Sequence, residues 1–195
     1  MKKTLLTAAL LTAFGVAAIA PQASQAATAS SGTITINGQV VTSTCNVNIN
    51  GSGANPTVTL PTVDANSLAT AGSSAGWSAV TIALSGCAPV SGVTKVVPYF
   101  FGANVDTSNG YLKNTTGGGS NVEIALSSTE SLTGALALNG SVTPTTNTQN
   151  STAQALPTTG TSSITFSYYA GYVAPTAAAT AGAVTTTVQY DLAYQ

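Results

Sequence analysis

Gly182-Ala183-Val184-Thr185-Thr186-Thr187-Val188-Gln189-Tyr190-Asp191-Leu192-Ala193-Tyr194-Gln195 is the stretch whose reading decides the fold. Gly182, Val184, Thr186, Val188, Tyr190, Leu192 and Tyr194 share one parity. A period of two is that of a β-strand with one face buried. Domain ends ordinarily fray and are polar, whereas this one carries an apolar stripe to its penultimate residue. Its plainest reading is the last core strand of a sandwich. The same alternation runs upstream through Val41, Cys45, Val47 and Ile49, then Val58 and Leu60, then Val80, Ile82 and Leu84. It continues at Val97, Tyr99 and Phe101, at Val122, Ile124 and Leu126, and at Ile164, Phe166 and Tyr168. β-Branched side chains dominate these runs and suit a pleated surface. Turn formers such as Asn50-Gly51-Ser52-Gly53 and Ser108-Asn109-Gly110 separate them. Short strands so spaced predict an all-β, antiparallel sandwich of immunoglobulin type. Residues 64–72 and 131–139 leave room for one helical turn each, and 139–163 reads as a long surface loop with one weak strand.

The N-terminal end reads as an address followed by an arm. Met1-Lys2-Lys3 is a positive start, Leu5 to Ala20 is mostly apolar, and Pro21 ends the run. Ser24-Gln25-Ala26 then offers small residues for cleavage between Ala26 and Ala27. Those three parts predict a secretory signal peptide over 1–26. Thr7, Thr12 and the shortness of the run argue against a membrane-anchoring helix. No Cys follows the cut to take a lipid, so no membrane anchor is expected. Beyond the cut, Thr28, Ser30, Gly32, Ile34 and Ile36 share one parity, and after Gly38 the apolar positions switch to Val41, Cys45, Val47 and Ile49. A slip of one residue turns side chains to the opposite face of a sheet. The segment 27–38 therefore reads as a separate extended arm and 39–195 as the domain. The alternative is a bulge within one continuous first strand.

Composition removes whole classes of function. The 195 residues are 44% hydrophobic but only 5% charged, with four Lys, no Arg and no His. Without histidine there is no Ser-His-Asp triad and no His-ligated zinc. Apart from Lys2 and Lys3, two lysines stand against five acids, so the basic stripe of a nucleic-acid binder is missing. Asp64, Asp106, Glu123, Glu130 and Asp191 are scattered and form no local motif. The expectation is a protein that is not an enzyme, with no cofactor and no metal. Cys45 and Cys87 in an exported chain most simply form one disulfide, two free thiols being the alternative. Closing a loop of that size is worth about 4 kcal/mol in the chain-entropy account. Trp77, Tyr99, Phe100 and Phe101 have rings that stack on sugars, but as isolated aromatics in strands they read as core.

Taken in order, a set of segments resembles the pilin subunits of chaperone–usher fimbriae, nearest the major subunit of type 1-like fimbriae. They are Gly32-Thr33-Ile34-Thr35-Ile36-Asn37-Gly38-Gln39-Val40-Val41 leading to Cys45, Val58-Thr59-Leu60-Pro61-Thr62-Val63, Ile82-Ala83-Leu84-Ser85-Gly86-Cys87, Tyr168-Tyr169-Ala170, Thr180-Ala181-Gly182 and Tyr194-Gln195. The glycine fourteenth from the end, the alternation after it and the penultimate tyrosine match that family's assembly motif. The resemblance implies an incomplete immunoglobulin-like antiparallel β-sandwich lacking its last strand, completed by a donor strand from outside. It implies a structural subunit that polymerises by donor-strand exchange into an adhesive fibre, the cell-surface fimbrium, after export through the periplasm. Its implied partners are a periplasmic chaperone, an outer-membrane usher and neighbouring pilin subunits in a homopolymer. Thr28, Ser30, Gly32, Ile34 and Ile36 would form the donor strand. Gly182, Val184, Thr186, Val188, Tyr190, Leu192 and Tyr194 would line the groove that receives first the chaperone and then a neighbour's arm. The rival readings are a minor, tip or adaptor pilin that binds a glycan receptor, and a secreted carbohydrate-active sandwich.

Overall fold

The computed structural model describes Thr35, Ile36, Gly38, Val40 and residues 45–142 and 146–195. The chain divides into two units, Met1–Gln39 and Val40–Gln195. The signal segment 1–26, the cleavage pair Ala26 and Ala27, and the arm residues Thr28, Ser30, Gly32 and Ile34 lie outside the described residues. Within the second unit the described strands are β1 (Asn46–Ile49), β2 (Ser74–Cys87), β3 (Lys95–Phe101), β4 (Leu112–Lys113), β5 (Glu123–Ser127), β6 (Gln154–Ala155), β7 (Ser162–Val173) and β8 (Gln189–Tyr194). They form a five-stranded sheet in the order β1-β2-β7-β5-β4 and a three-stranded sheet in the order β6-β3-β8. Every pairing is antiparallel.

The period-two residues of β2 and β7 build the floor of the core. Val80 lies opposite Tyr168, Ile82 opposite Phe166 and Leu84 opposite Ile164, and all six are buried. Phe100, from the other sheet, meets the Tyr168 ring edge-on with centroids 5.4 Å apart, a favoured aromatic geometry. Two register shifts interrupt the β2–β7 ladder, between Ala75 and Ser78 and between Leu84 and Cys87. Gly76 and Gly86 sit in them with φ of 67° and 66°, the left-handed backbone that a bulge asks of glycine. Cys45 and Cys87 are joined in a disulfide with α-carbons 4.2 Å apart, which ties the start of β1 to the end of β2.

Both expected helical turns are present as 3-10 turns, Ala65–Leu68 and Leu132–Gly134. Asp64 caps the first by accepting the Asn66 amide at 2.9 Å. The weak strand expected within 139–163 is the two-residue β6. On β3 the expected face is wrong. Val96 and Phe100 join the core cluster, while Tyr99 and Phe101 lie half-buried on the opposite face with their rings stacked 5.4 Å apart. Val96, Val97 and Pro98 are all buried, so apolar residues occur on both faces and the alternation there carries no direction.

Candidate assembly groove

The C-terminal run is built differently on its two edges. Pro98 of β3 faces Leu192 of β8. Proline has no N–H, so this is a non-hydrogen-bonded pair and the bonded partners are the odd-numbered residues of β8. Just beyond β8, Lys95 and Gln195 exchange two backbone bonds of 2.9 Å each. The amide and carbonyl groups of Tyr190 and Leu192 therefore point away from β3. Upstream, Val184, Thr186 and Val188 likewise make no backbone hydrogen bond to any other described residue. The odd residues there are bonded on the other side: the Ala183 carbonyl accepts from Ser120, and the Thr185 carbonyl from Thr115. Among the described residues, the even positions from Val184 to Leu192 thus present one continuous row of unpaired backbone groups.

The same even residues carry the apolar stripe, and the stripe is unfinished. Val184, Thr186, Val188, Tyr190, Leu192 and Tyr194 are each half-buried, whereas Ala183, Thr185, Thr187, Gln189 and Asp191 are exposed. The equivalent stripe of β7 is fully buried, Phe166 being only 3% exposed. Val184, Val188, Tyr190, Leu192 and Tyr194 all pack against the main core cluster, so the stripe overlies the core with one side uncovered. Thr186 Oγ1 is buried without a hydrogen-bond partner among the described residues.

A second extended segment shares this incompleteness. From Pro56 to Leu60 the chain alternates half-buried and exposed residues, and Val58 and Leu60 reach the same core cluster as the C-terminal stripe. Pro56–Val63 makes no backbone hydrogen bond to other described residues. The Tyr190 hydroxyl donates to the Ala54 carbonyl at 3.0 Å, which brings the start of this segment beside β8. Burial pushes the Tyr190 phenol above its ordinary pKa. Val58 and Leu60 were legible as a strand, but their missing ladder was not, because an unpaired strand and a paired one have the same alternation.

Gly182 continues the parity but owes its identity to the loop before β5. A Cβ there would lie 2.5 Å from the Ser120 amide nitrogen and 2.7 Å from the Gly119 carbonyl carbon, so a side chain would force the two segments apart. Ile36 of the arm stripe is 90% exposed.

The carboxylates are less scattered than their spacing suggests. Glu123, at the start of β5, is buried and accepts from Asn109 Nδ2 at 2.8 Å. Burial, and secondarily the nearby Asp106 charge, raises its pKa. Asp106 accepts from the Ser108 hydroxyl at 2.6 Å and the Ser108 amide at 2.8 Å, and pairs with Lys113 at 3.4 Å. Those bonds hold its pKa at about 2, the Ser108 hydroxyl first. Asp106 and Asn109 each bind a backbone amide two residues on, so the cluster shapes the β3–β4 loop and fastens it to β5. Among the described residues no group of three or more acids or cysteines is arranged to hold a metal.

The model of the family described as Fimbrial protein matches residues 34–195. This chain belongs to the fimbrial protein family. The fimbrial subunit is 41% identical over 183 residues to the F17 fimbrial protein of Escherichia coli, covering 91% of this chain and 94% of that one. It is 38% identical over 172 residues to the major fimbrial subunit SMF-1 of Stenotrophomonas maltophilia (strain K279a), covering 87% and 95%. A chain from a solved chaperone–usher pilus shares the fold at a TM-score of 0.56 and 20% identity, covering 85% of this chain and 96% of its own. The fimbrial subunit is a structural protein of the fibre, with an incomplete immunoglobulin-like sandwich.

Proposed function

We propose that this fimbrial subunit polymerises by donor-strand exchange, the arm 27–38 of one copy filling the open edge of the next. The observation that carries the reading is the coincidence, on Val184, Thr186, Val188, Tyr190 and Leu192, of unpaired backbone groups with half-buried side chains. An unpaired edge beside apolar surface is an aggregation hazard, and an extended segment laid along it removes both faults at once. The arm offers the matching pattern: Ile34 and Ile36 on one parity with Gly32, Ser30 and Thr28. Each Ile fully buried contributes roughly 1.5–3 kcal/mol before ladder bonds are counted. An arm that fills a neighbour's slot makes a head-to-tail contact that does not close, and the product is a fibre.

The exported subunit would first be held by a periplasmic chaperone that lends a strand to the same edge, then passed at an outer-membrane usher to the arm of the next subunit. The fimbrium would stand at the cell surface. The near-full-length match to a major fimbrial subunit supports a place in the shaft rather than at the tip. Val188→Glu tests the slot. Val188 is half-buried at the open edge, so a carboxylate there meets water in the free subunit but would be desolvated under an incoming strand. The expected result is loss of co-purification with the chaperone. Undiminished co-purification of that variant would remove the slot assignment.

A further inference from the structure

We propose that Asn114, helped by Asn104, is a positioning residue for donor capture: its side chain stands in for a missing strand and extends the usable open edge upstream of β8. The inference rests on the donor-strand reading above.

β3 pairs with β8 only as far as Phe101, which faces Gln189. Upstream of Gln189 the run from Ala183 to Val188 has no strand beside it among the described residues, yet it stays extended with regular alternation of burial. Asparagine side chains occupy the place of the absent ladder. Asn114 Oδ1 accepts the Thr185 amide at 2.9 Å, and Asn114 Nδ2 donates to the Ala183 carbonyl at 2.9 Å. One side-chain amide thus repeats the donor and acceptor pair that a neighbouring peptide group would offer. Thr115 adds its amide and its hydroxyl to the Thr185 carbonyl, both at 2.8 Å. Two residues on, Asn104 Nδ2 donates to the Thr187 carbonyl at 3.1 Å and to the Thr187 hydroxyl at 2.9 Å.

The clamp is itself held. Asn114 also donates to the Ser120 carbonyl and accepts the Thr116 amide, and the Lys113 amide bonds to the Asn104 carbonyl at 2.8 Å. Every one of these contacts falls on an odd residue of the run or within the loops. The even edge is left untouched, and it is the edge that faces the slot. Without Asn114 and Asn104, the odd edge would keep only the bonds from the Ser120 amide to the Ala183 carbonyl and from Thr115 to the Thr185 carbonyl. The Thr185 amide and the Thr187 carbonyl would lose their partners, leaving Val184, Thr186 and Val188 less firmly held in register than the part fastened to β3. A preorganised edge avoids the ordering cost at the moment of docking. Asn114-Thr115-Thr116 also matches the glycosylation pattern, but here both amide atoms of Asn114 are committed to backbone partners.

The test uses the mature chain and a synthetic peptide of residues 27–38, with binding measured by titration and amide exchange followed residue by residue. In the native chain the peptide protects Val184, Thr186, Val188, Tyr190 and Leu192. In Asn114→Ala, binding weakens about tenfold, a change of one decade or about 1.4 kcal/mol. Protection is then lost at Val184 and Thr186 while Tyr190 and Leu192 keep theirs. Asn104→Ala is the second variant and shows its loss at Val188. Native affinity and native protection in both variants overturn the clamp but not the groove. Uniform loss of protection at all five positions also overturns it, since that is the mark of a general structural defect. A peptide that fails to bind the unsubstituted chain overturns the donor-strand reading and the clamp with it.

Discussion

Ile36→Ala separates an assembly residue from a folding residue. Ile36 is 90% exposed, so its side chain contributes almost no burial to the folded chain. In the proposed fibre it enters a neighbour's slot over Val184–Leu192. The substitution removes three carbons, which at about 0.8 kcal/mol each amounts to roughly 2.4 kcal/mol of lost burial. That corresponds to roughly a fiftyfold weaker arm–slot contact. A cavity left behind would enlarge the effect. The assay pairs two measurements. One is titration of the native arm peptide, and of the same peptide carrying Ile36→Ala, into the native chain. The other is thermal unfolding of the full-length native and variant chains without added peptide. The expected outcome is the weakened titration with melting temperatures that agree within a degree or two. Arm binding changed less than threefold would refute the donor assignment. So would a variant whose uncomplemented form melts many degrees lower, because Ile36 would then belong to the fold of its own chain.

Two further outcomes follow from groups the groove does not use. Gln149 is wholly buried and bonds both backbone groups of Phe100, accepting its amide at 3.0 Å and donating to its carbonyl at 2.6 Å. Gln149→Ala leaves two buried backbone groups unpaired at about 1–3 kcal/mol each, and denaturant unfolding should show a loss of about 2–6 kcal/mol, with less than 1 kcal/mol contradicting the assignment. Glu123 has a raised pKa in the folded chain, so the folded state keeps a proton that the unfolded state releases, and stability declines as pH rises through the folded value. Asp106 works the other way: held at about 2 against an ordinary 3.8, it contributes above the ordinary value and loses that contribution as pH falls toward 2. Glu123→Gln keeps the acceptor for Asn109 and should raise the melting temperature at pH 7 while flattening the decline that begins at the ordinary Glu value of 4.5. An unchanged slope in melting temperature against pH would show that burial of Glu123 carries no penalty.

The strand pattern was readable wherever one face is wet. Val80, Ile82 and Leu84 against Ile164, Phe166 and Tyr168 alternate cleanly because only small or polar residues, Thr81, Ala83, Thr165 and Ser167, lie between them, and all six are buried in the expected sense. On β3 the reading failed because Val96, Val97 and Pro98 are apolar on both faces. The C-terminal stripe was legible as a strand face, but the reading could not distinguish a finished face from an open one. Its alternation is that of any half-wetted strand, and only fractional burial tells the two apart. Asn104 and Gln149 gave no signal and Asn114 only a match to the glycosylation pattern, since an amide side chain that replaces a strand looks like any polar loop residue.

Chemical inventory and local period belong to the chain before it folds. The lack of His and Arg removed catalysis by imidazole and grip by guanidinium, the two cysteines supplied one cross-link, and the run after Gly182 had to be extended with its even residues on one face. Which of those extended runs find partners was settled only by folding. Whether a backbone amide is paired depends on what is brought alongside it, and residues far apart in the chain do that here: Pro98 sets the bonded parity of β8, and Asn114 takes the place of a strand beside Thr185. Periodicity is a property of one segment, but a vacant edge is a property of its neighbours.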